Sequence, residues 1–358
     1  MNSLSWMKRC SGWQGRYRVR CSGDPTVGDA VDGITVAIPT WNGAHLLDGC
    51  LDRIYTQTLK PDRILVIDNA STDDTKRVLL NHPGVEHIVL PDNIGYAGAS
   101  SVALELTTTR LLAVLNNDTQ PHENWLESLD SGLRSDPDIA VAFPLSVDAL
   151  GRIDSAGDIP TRAGFFYKRG FRRTVDHGWL IREATTLVLA SGVGALYRVE
   201  ALRDIGGWDR GFHSYLEDVD ISLRLWMSDW DIAFVPDSVV LHEQGRTGDR
   251  VPASRAFLTS RNESIVIAKN YPLSTILTMI PFLMFYSFLS LCSRAVGGGL
   301  FPFLAGKCAF LLSLRAIYQA RSRVRRCRRL NHRLLEGTWL RTWISLSIFG
   351  GRKAPNAS

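Results

Sequence analysis

A few acids and one histidine stand out in this sequence for where they fall. Asp118 closes the run Leu115-Asn116-Asn117-Asp118, directly after a stretch apolar enough to be a buried strand. A carboxylate at a strand end can hold a divalent cation, and the cation can neutralise a diphosphate. A turn or a helix cap is the ordinary alternative use of Asn and Asp there. Glu217-Asp218-Val219-Asp220 opens a segment in which Val219, Ile221, Leu223 and Leu225 alternate with polar residues. Acids at a helix start are favoured by the helix dipole, and one so placed can serve as a general base; solvated helix-start acids are the alternative. His242 follows the apolar Val239-Val240-Leu241, as a ligand or simply as a satisfied polar residue.

What must position these groups can be read from the periodicity. Short β-rich runs at 34–38, 63–67, 86–90 and 111–115 predict strands, and helical spacing over 45–58 and 96–107 predicts helices between them. Ser71-Thr72-Asp73-Asp74 reads as a helix N-cap region. Alternating strands and helices imply a largely parallel sheet covered on both faces, with ligands at the carboxyl ends of the strands. The polar clusters at 39–42, 68–74 and 116–118 all fall at that rim. The chain from 139 to 235 is less regular, with strand-like 139–143 and 185–189, a helix from about Asp218, and a last core strand over 232–235 leading to His242. Phe165-Phe166-Tyr167-Lys168-Arg169-Gly170-Phe171-Arg172-Arg173 interleaves aromatics and cations, as an acceptor-gripping loop or an ordinary basic loop.

The 358 residues are 45% apolar and 22% charged, enough for a real core and unlike a disordered chain. Charge is uneven along them. Residues 1–23 hold five bases and no acid, residues 24–263 hold 22 bases and 35 acids, and residues 264–358 hold 14 bases and one acid. An acidic body excludes nucleic acid as the main partner, since phosphate binding needs a basic face. Basic ends beside apolar runs suit an anionic membrane surface. Residues 273–292 carry no charge, and residues 296–314 carry only Lys307, before an Arg cluster at 315–329. The first run is long enough to cross a bilayer. If both cross, they form a hairpin with its Arg cluster on the cytoplasmic side; if not, Pro281, Pro302 and the glycines at 297–299 favour a dip into one leaflet. Trp6, Trp13, Trp339 and Trp343 flank the body as interface or packed residues. The six cysteines have no paired spacing, as in a reduced compartment, and no signal-peptide core follows the basic N-terminus.

From Ile34 to Tyr271 the chain resembles a family 2 glycosyltransferase with the GT-A nucleotide-diphospho-sugar transferase fold, a Rossmann-like α/β sheet with flanking helices. The resemblance rests on Ile38-Pro39-Thr40-Trp41-Asn42, Val66-Ile67-Asp68-Asn69-Ala70-Ser71-Thr72-Asp73 and Asp92-Asn93-Ile94-Gly95-Tyr96-Ala97-Gly98. It continues through Leu115-Asn116-Asn117-Asp118, the stretch from Ser191 to Arg198, Gly206-Gly207-Trp208-Asp209 and Tyr215-Leu216-Glu217-Asp218-Val219-Asp220. Val235-Pro236, His242 and Arg261-Asn262 complete it, in the family's order.

The resemblance implies a site. Pro39, Thr40 and Asn42 would line the nucleotide pocket, Asp68 would bond the base, and Asn93, Gly95 and Asn117 would complete the donor wall. Asp118 would end a DXD-like motif and share a Mg2+ or Mn2+ ion with His242. Asp218 would be the catalytic base of an inverting reaction, with Glu217, Trp208 and Asp209 holding the acceptor. Asn116 stands where a full DXD has its first acid, and Ala99-Ser100-Ser101 stand where relatives often carry Gly or Asn. The Asn-Asn-Asp form resembles a rhamnosyltransferase-like branch, implying a deoxythymidine-diphospho-rhamnose donor and a lipid-linked or surface-polysaccharide acceptor. The expected organisation is a leader at 1–32, a catalytic domain at 33–271, an apolar hairpin with its Arg segment at 272–335, and a tail at 336–358. It would act on the cytoplasmic face of a bacterial inner membrane. A nucleotidyltransferase of the same fold class is a rival, weakened by the missing Gly-rich, basic triphosphate loop. A membrane-anchored sugar-binding protein is the other, resting on Asn116.

Overall fold

The computed structural model describes residues 31–161, 163–176, 178–179, 188–243, 252–297 and 299–324. The leader up to residue 30, residues 185–187 of an expected strand, the Arg cluster from 325 onward, the tail and its tryptophans lie outside them.

Four parallel strands form where the apolar runs predict them: β1 (Val31–Thr40), β2 (Arg63–Asp68), β3 (Glu86–Val89) and β4 (Thr109–Val114). Their order is β3-β2-β1-β4, and their register brings Thr40 opposite Asp68 and Ala37 opposite Val114. β1 and β2 finish level, and β4 ends three residues lower, so that Asn117 beyond it comes up to bond Thr40 and the polar clusters share one rim. The helices between them are α1 (Ala44–Tyr55), α2 (Thr75–Leu80) and α3 (Gly95–Leu106). α1 stops at Tyr55, short of the predicted end, and Thr56 caps it.

The less regular half extends the same sheet. β5 (Thr119–Pro121), α4 (Trp125–Arg134), β6 (Ile139–Val147) and β7 (Ile153–Ser155) follow in sequence. β8 (Asp158–Pro160) and β9 (Phe166–Lys168) form a separate two-stranded sheet. β10 (Ala195–Arg198) then inserts antiparallel between β4 and β6. α5 (Val199–Asp204), α6 (Glu217–Met227), β11 (Asp231–His242) and α7 (Pro252–Asn270) complete the body. β11 runs parallel to β6, with its register broken between Val235 and Val239, where Pro236 cannot donate to the ladder.

Adjacent residues of each central strand enter different cores. Val36, Val66, Leu111 and Leu196 face one side with Leu47, Leu51, Ile54, Trp125 and Leu129. Ala37, Leu65, Leu112 and Tyr197 face the other with Val102, Leu202, Leu223 and Val266. Both faces are dry, so the strands read as unbroken apolar runs.

α8 (Leu273–Gly297), α9 (Leu300–Leu312) and α10 (Leu314–Val324) follow. Among the described residues one helix, Leu273–Ala295, is long and apolar enough to cross a membrane, and little of it is buried. Pro281 lies inside it without ending it. The second apolar run is broken by a 57° bend between α9 and α10, and it packs on α7. Gly306 meets Phe257 so closely that a Cβ would lie 2.5 Å from its carbonyl oxygen. Lys307 Nζ donates to Ser260 O at 3.1 Å and Ser264 Oγ at 2.9 Å, and Arg321 Nη1 to Ala268 O at 2.7 Å. This segment is joined to the body through side-chain bonds.

Candidate active site

The residues expected to line the donor site lie on loops that bond one another. Asn42, in the left-handed region at φ 51°, donates its N–H to Ser71 Oγ at 2.9 Å, and its Oδ1 accepts from Thr72 N at 2.7 Å. Asp73 Oδ2 accepts from Ala44 N at 3.0 Å. Asp73 thus ties two loops together, while α2 begins at Asp74 with no side-chain cap. Asp68, buried, accepts from Ser71 N at 2.9 Å, and Pro39 is buried opposite Ile67. Asn69 donates from Nδ2 to Gly95 O and accepts from Ile94 N, and Asn93 Oδ1 accepts from Gly95 N at 2.9 Å. Gly95 is required where it stands: its φ is +77°, and a Cβ would lie 2.3 Å from His213 O. Asn117 Nδ2 donates to Thr40 Oγ1 at 2.8 Å, joining the ends of β1 and β4.

β5 pairs antiparallel with β11, and this brings His242 opposite Thr119. His242 Nε2 lies 3.4 Å from Asp118 Oδ1, and its Nδ1 lies 2.8 Å from Asp154 Oδ2. Asp154 also receives Lys168 Nζ at 2.8 Å and Ser146 Oγ at 3.1 Å. Burial disfavours charge on His242, but Asp118 and Asp154 outweigh it and push its pKa up to about 9. Burial acts against Asp154 too, and His242 and Lys168 outweigh it, holding its pKa down at about 2. Among the described residues no three His, Cys, Asp or Glu form a complete metal cage. Asp118 would offer a carboxylate oxygen and His242, once its Nε2 proton is displaced, an imidazole nitrogen, with Asp154 behind the ring as the partner a metal-binding histidine uses. That donor set fits a divalent ion whose other positions are filled by diphosphate and water. Asn116, where a full DXD has its first acid, has its Oδ1 buried with no hydrogen-bond partner among the described residues.

Across the rim, α6 begins at Glu217 behind a left-handed Leu216. Asp218 Oδ2 accepts from Gly192 N at 2.8 Å, and Oδ1 accepts from its neighbour Val219 N at 2.8 Å. Burial raises the Asp218 pKa, and these two N–H groups oppose the rise. Glu217 is buried with Oε2 unbonded, and burial beside Asp218 drives its pKa well upward. Burial thus raises the pKa of both carboxylates, and of the two Asp218 is the one whose rise backbone N–H groups oppose through both oxygens. Tyr96 OH donates to Gly192 O at 3.2 Å, linking the start of α3 to the loop before β10 that bonds Asp218.

Trp208 and Asp209, expected at the acceptor, make these contacts within the body. Gly206 and Gly207 both have positive φ and turn Trp208 inward, where it is 5% exposed and edge-on to Tyr197 at 5.4 Å. Asp209 Oδ1 caps a short turn through Gly211 N, and its Oδ2 pairs with Lys269 Nζ at 2.6 Å. The aromatic, basic stretch is largely packed as well. Arg169 is buried with its guanidinium 4.5 Å from the Phe234 ring, and Phe165 stacks on Tyr286 of α8 at 4.8 Å. Sequence reading missed Asp154, a lone acid in a three-residue strand with no motif around it. What marks it is its burial in the structure, where a charged acid needs a cationic partner.

With this geometry in place, residues 35–206 match the family model described as Glycosyl transferase family 2. A pre-mycofactocin glycosyltransferase of Mycobacterium tuberculosis is 29% identical over 226 residues, 61% of this chain and 44% of that protein. The chain thus spans less than half the length of that relative. An N-acetylglucosaminyl-diphospho-decaprenol L-rhamnosyltransferase of the same species is 25% identical over 266 residues, 67% of this chain and 85% of that one. Among solved structures, GalNAc-T7 with UDP, GalNAc and Mn2+ superposes with a TM-score of 0.52 at 18% identity, over 68% of this chain and 48% of the other.

Proposed function

Because the chain carries a family 2 glycosyltransferase domain on a GT-A-like α/β fold, we propose that it is an inverting, divalent-metal-dependent glycosyltransferase acting at a membrane. The donor is a nucleotide-diphospho-sugar, rhamnose on deoxythymidine diphosphate being the candidate. The acceptor is lipid-linked or part of a surface polysaccharide. The rhamnosyl transfer to a diphospho-decaprenol acceptor named for one relative supports that choice.

The observation that carries the reading is the pair of carboxylates on opposite sides of one rim. Asp118 faces His242 at 3.4 Å on the donor side, and Asp218 is oriented by two backbone N–H groups on the other. Thr40, Asn42 and Asp68 wall the nucleotide pocket with loops that are already bonded together. Asp118 and His242 would hold the Mg2+ or Mn2+ ion, whose positive charge would offset that of the departing nucleoside diphosphate. Asp218 takes the proton of the acceptor hydroxyl as its oxygen attacks the anomeric carbon from the face opposite the leaving group. Glu217, buried beside it with its pKa driven upward, would help to hold the acceptor. Trp208 and Asp209 act from behind, by fixing the loop that precedes α6.

The exposed apolar face of α8 supports attachment to the cytoplasmic face of a bacterial inner membrane, and the arginines at 321–329 supply charge for anionic lipid. The test is turnover in detergent with Mn2+ or Mg2+ over a panel of nucleotide sugars, following released nucleoside diphosphate. Release with one donor, lost in Asp118→Ala and Asp218→Asn, is the expected result. No release with any donor and no metal-dependent nucleotide binding would leave a binding protein in its place.

A further inference from the structure

The segment that leads into α6 is held against its own conformational preference. His213, Tyr215 and Leu216 all lie in the left-handed region, at φ 64°, 72° and 66°. Bulky residues there cost free energy and persist only where the surroundings impose them. Two consecutive residues of α7 do so. Arg261 Nη2 donates to Gly211 O and to Phe212 O at 2.9 Å. Asn262 Nδ2 donates to Phe212 O at 3.0 Å, Ser214 O at 2.9 Å and Tyr215 O at 2.8 Å. Arg261 Nε also donates to Asn262 Oδ1 at 3.0 Å, which fixes the amide so that its nitrogen faces the loop. Both side chains are buried, Asn262 completely.

The other side of the loop faces the donor. His213 O accepts from Ala97 N at 2.9 Å, and Ser214 Oγ accepts from Tyr96 N at 3.2 Å. One stretch of backbone therefore rests on the donor wall at Gly95 to Ala97 and runs directly into Glu217 and Asp218. Its shape sets the distance between the donor and the base.

We propose that Arg261 and Asn262 are positioning residues for the transfer reaction: they clamp the carbonyls of residues 211–215 and so fix the base Asp218 relative to the donor wall. They touch neither substrate. The helix under them is itself fixed from behind, where Ser260 Oγ donates to Phe303 O of α9 at 2.9 Å. The proposal rests on the reading of Asp218 as the base, and its test separates the two.

Asn262→Leu keeps the volume and removes the donor, and Arg261→Lys keeps the charge and removes the fork. Hydrogen–deuterium exchange on the whole protein reads the clamp without any substrate. Amides of residues 211–218 are expected to exchange at least about 10-fold faster in both variants, with β1 and β4 unchanged. With dTDP-rhamnose and Mn2+, kcat is expected to fall about 100-fold while the donor KM stays within about threefold, as a misplaced base gives. Unchanged exchange in the loop overturns the proposal even if no donor is turned over. Wild-type kcat in an active protein with a loosened loop also overturns it. If Asn262→Leu fails to fold, Arg261→Lys decides by the same two readouts. Wild-type protein inactive on every donor, with the loop loosened in the variants, removes the base reading and leaves the clamp.

Discussion

His242 Nδ1 lies 2.8 Å from Asp154 Oδ2, and this contact decides which ring nitrogen is free to face Asp118. Asp154 is wholly buried, with Lys168 and Ser146 among its partners, so it orients the ring without reaching the rim. In Asp154→Asn the charge is lost and the ring is held less firmly. Mn2+ affinity, read by electron paramagnetic resonance in the presence of dTDP, should fall about 10- to 100-fold. An affinity equal to wild type would sink the metal assignment of His242.

Asp218→Asn should lower kcat by about 100- to 10,000-fold while leaving nucleotide affinity alone, since only proton transfer is removed. The pH profile gives a second test. The base works ionised, and burial lifts its pKa above the ordinary carboxylate value. The rate kcat/KM should therefore rise with pH, through a midpoint above the usual carboxylate range. A profile already flat from pH 4 upward would count against Asp218.

The first half of the site was legible because parallel strands buried on both faces announce themselves as apolar runs, and their ends must coincide. Thr40, Asp68 and Asp118 follow from that alone. The second half was not, because it depends on pairings distant in sequence. No local pattern says that β10 inserts between β4 and β6, or that β5 pairs with β11 and so delivers His242 to Asp118. Nor does the Trp208-Asp209 motif say where its side chains go: the two positive-φ glycines before Trp208 turn the ring into the core.

Gly306 tests the junction between body and apolar segment. Gly306→Ala would place a methyl 2.5 Å from the Phe257 carbonyl. Overpacking of this kind costs about 1–3 kcal/mol, or roughly 2–4 °C of melting temperature per kcal/mol. Gly49→Ala, in α1 with nothing within 4 Å of the new methyl, should instead stabilise, by about 0.4–1 kcal/mol. Thermal melts of both variants check the contrast. Equal melting temperatures would mean that α9 does not bear on α7 in solution.

Met284, Phe285 and Phe288 are 69%, 52% and 61% exposed on α8. Replacing all three with Gln should weaken binding to vesicles containing phosphatidylglycerol about 100-fold or more, since each large apolar side chain contributes on the order of 1 kcal/mol or more when buried. Vesicle sedimentation reads the shift. Undiminished sedimentation would move the attachment to some other surface.

The reciprocal bonds among Asn42, Ser71, Thr72 and Asp73 have a kinetic meaning. These loops do not wait for a ligand to order them, so capture of a nucleotide carries no folding step on that side. Association should run near the encounter rate, with discrimination among nucleotides expressed in how long each one stays.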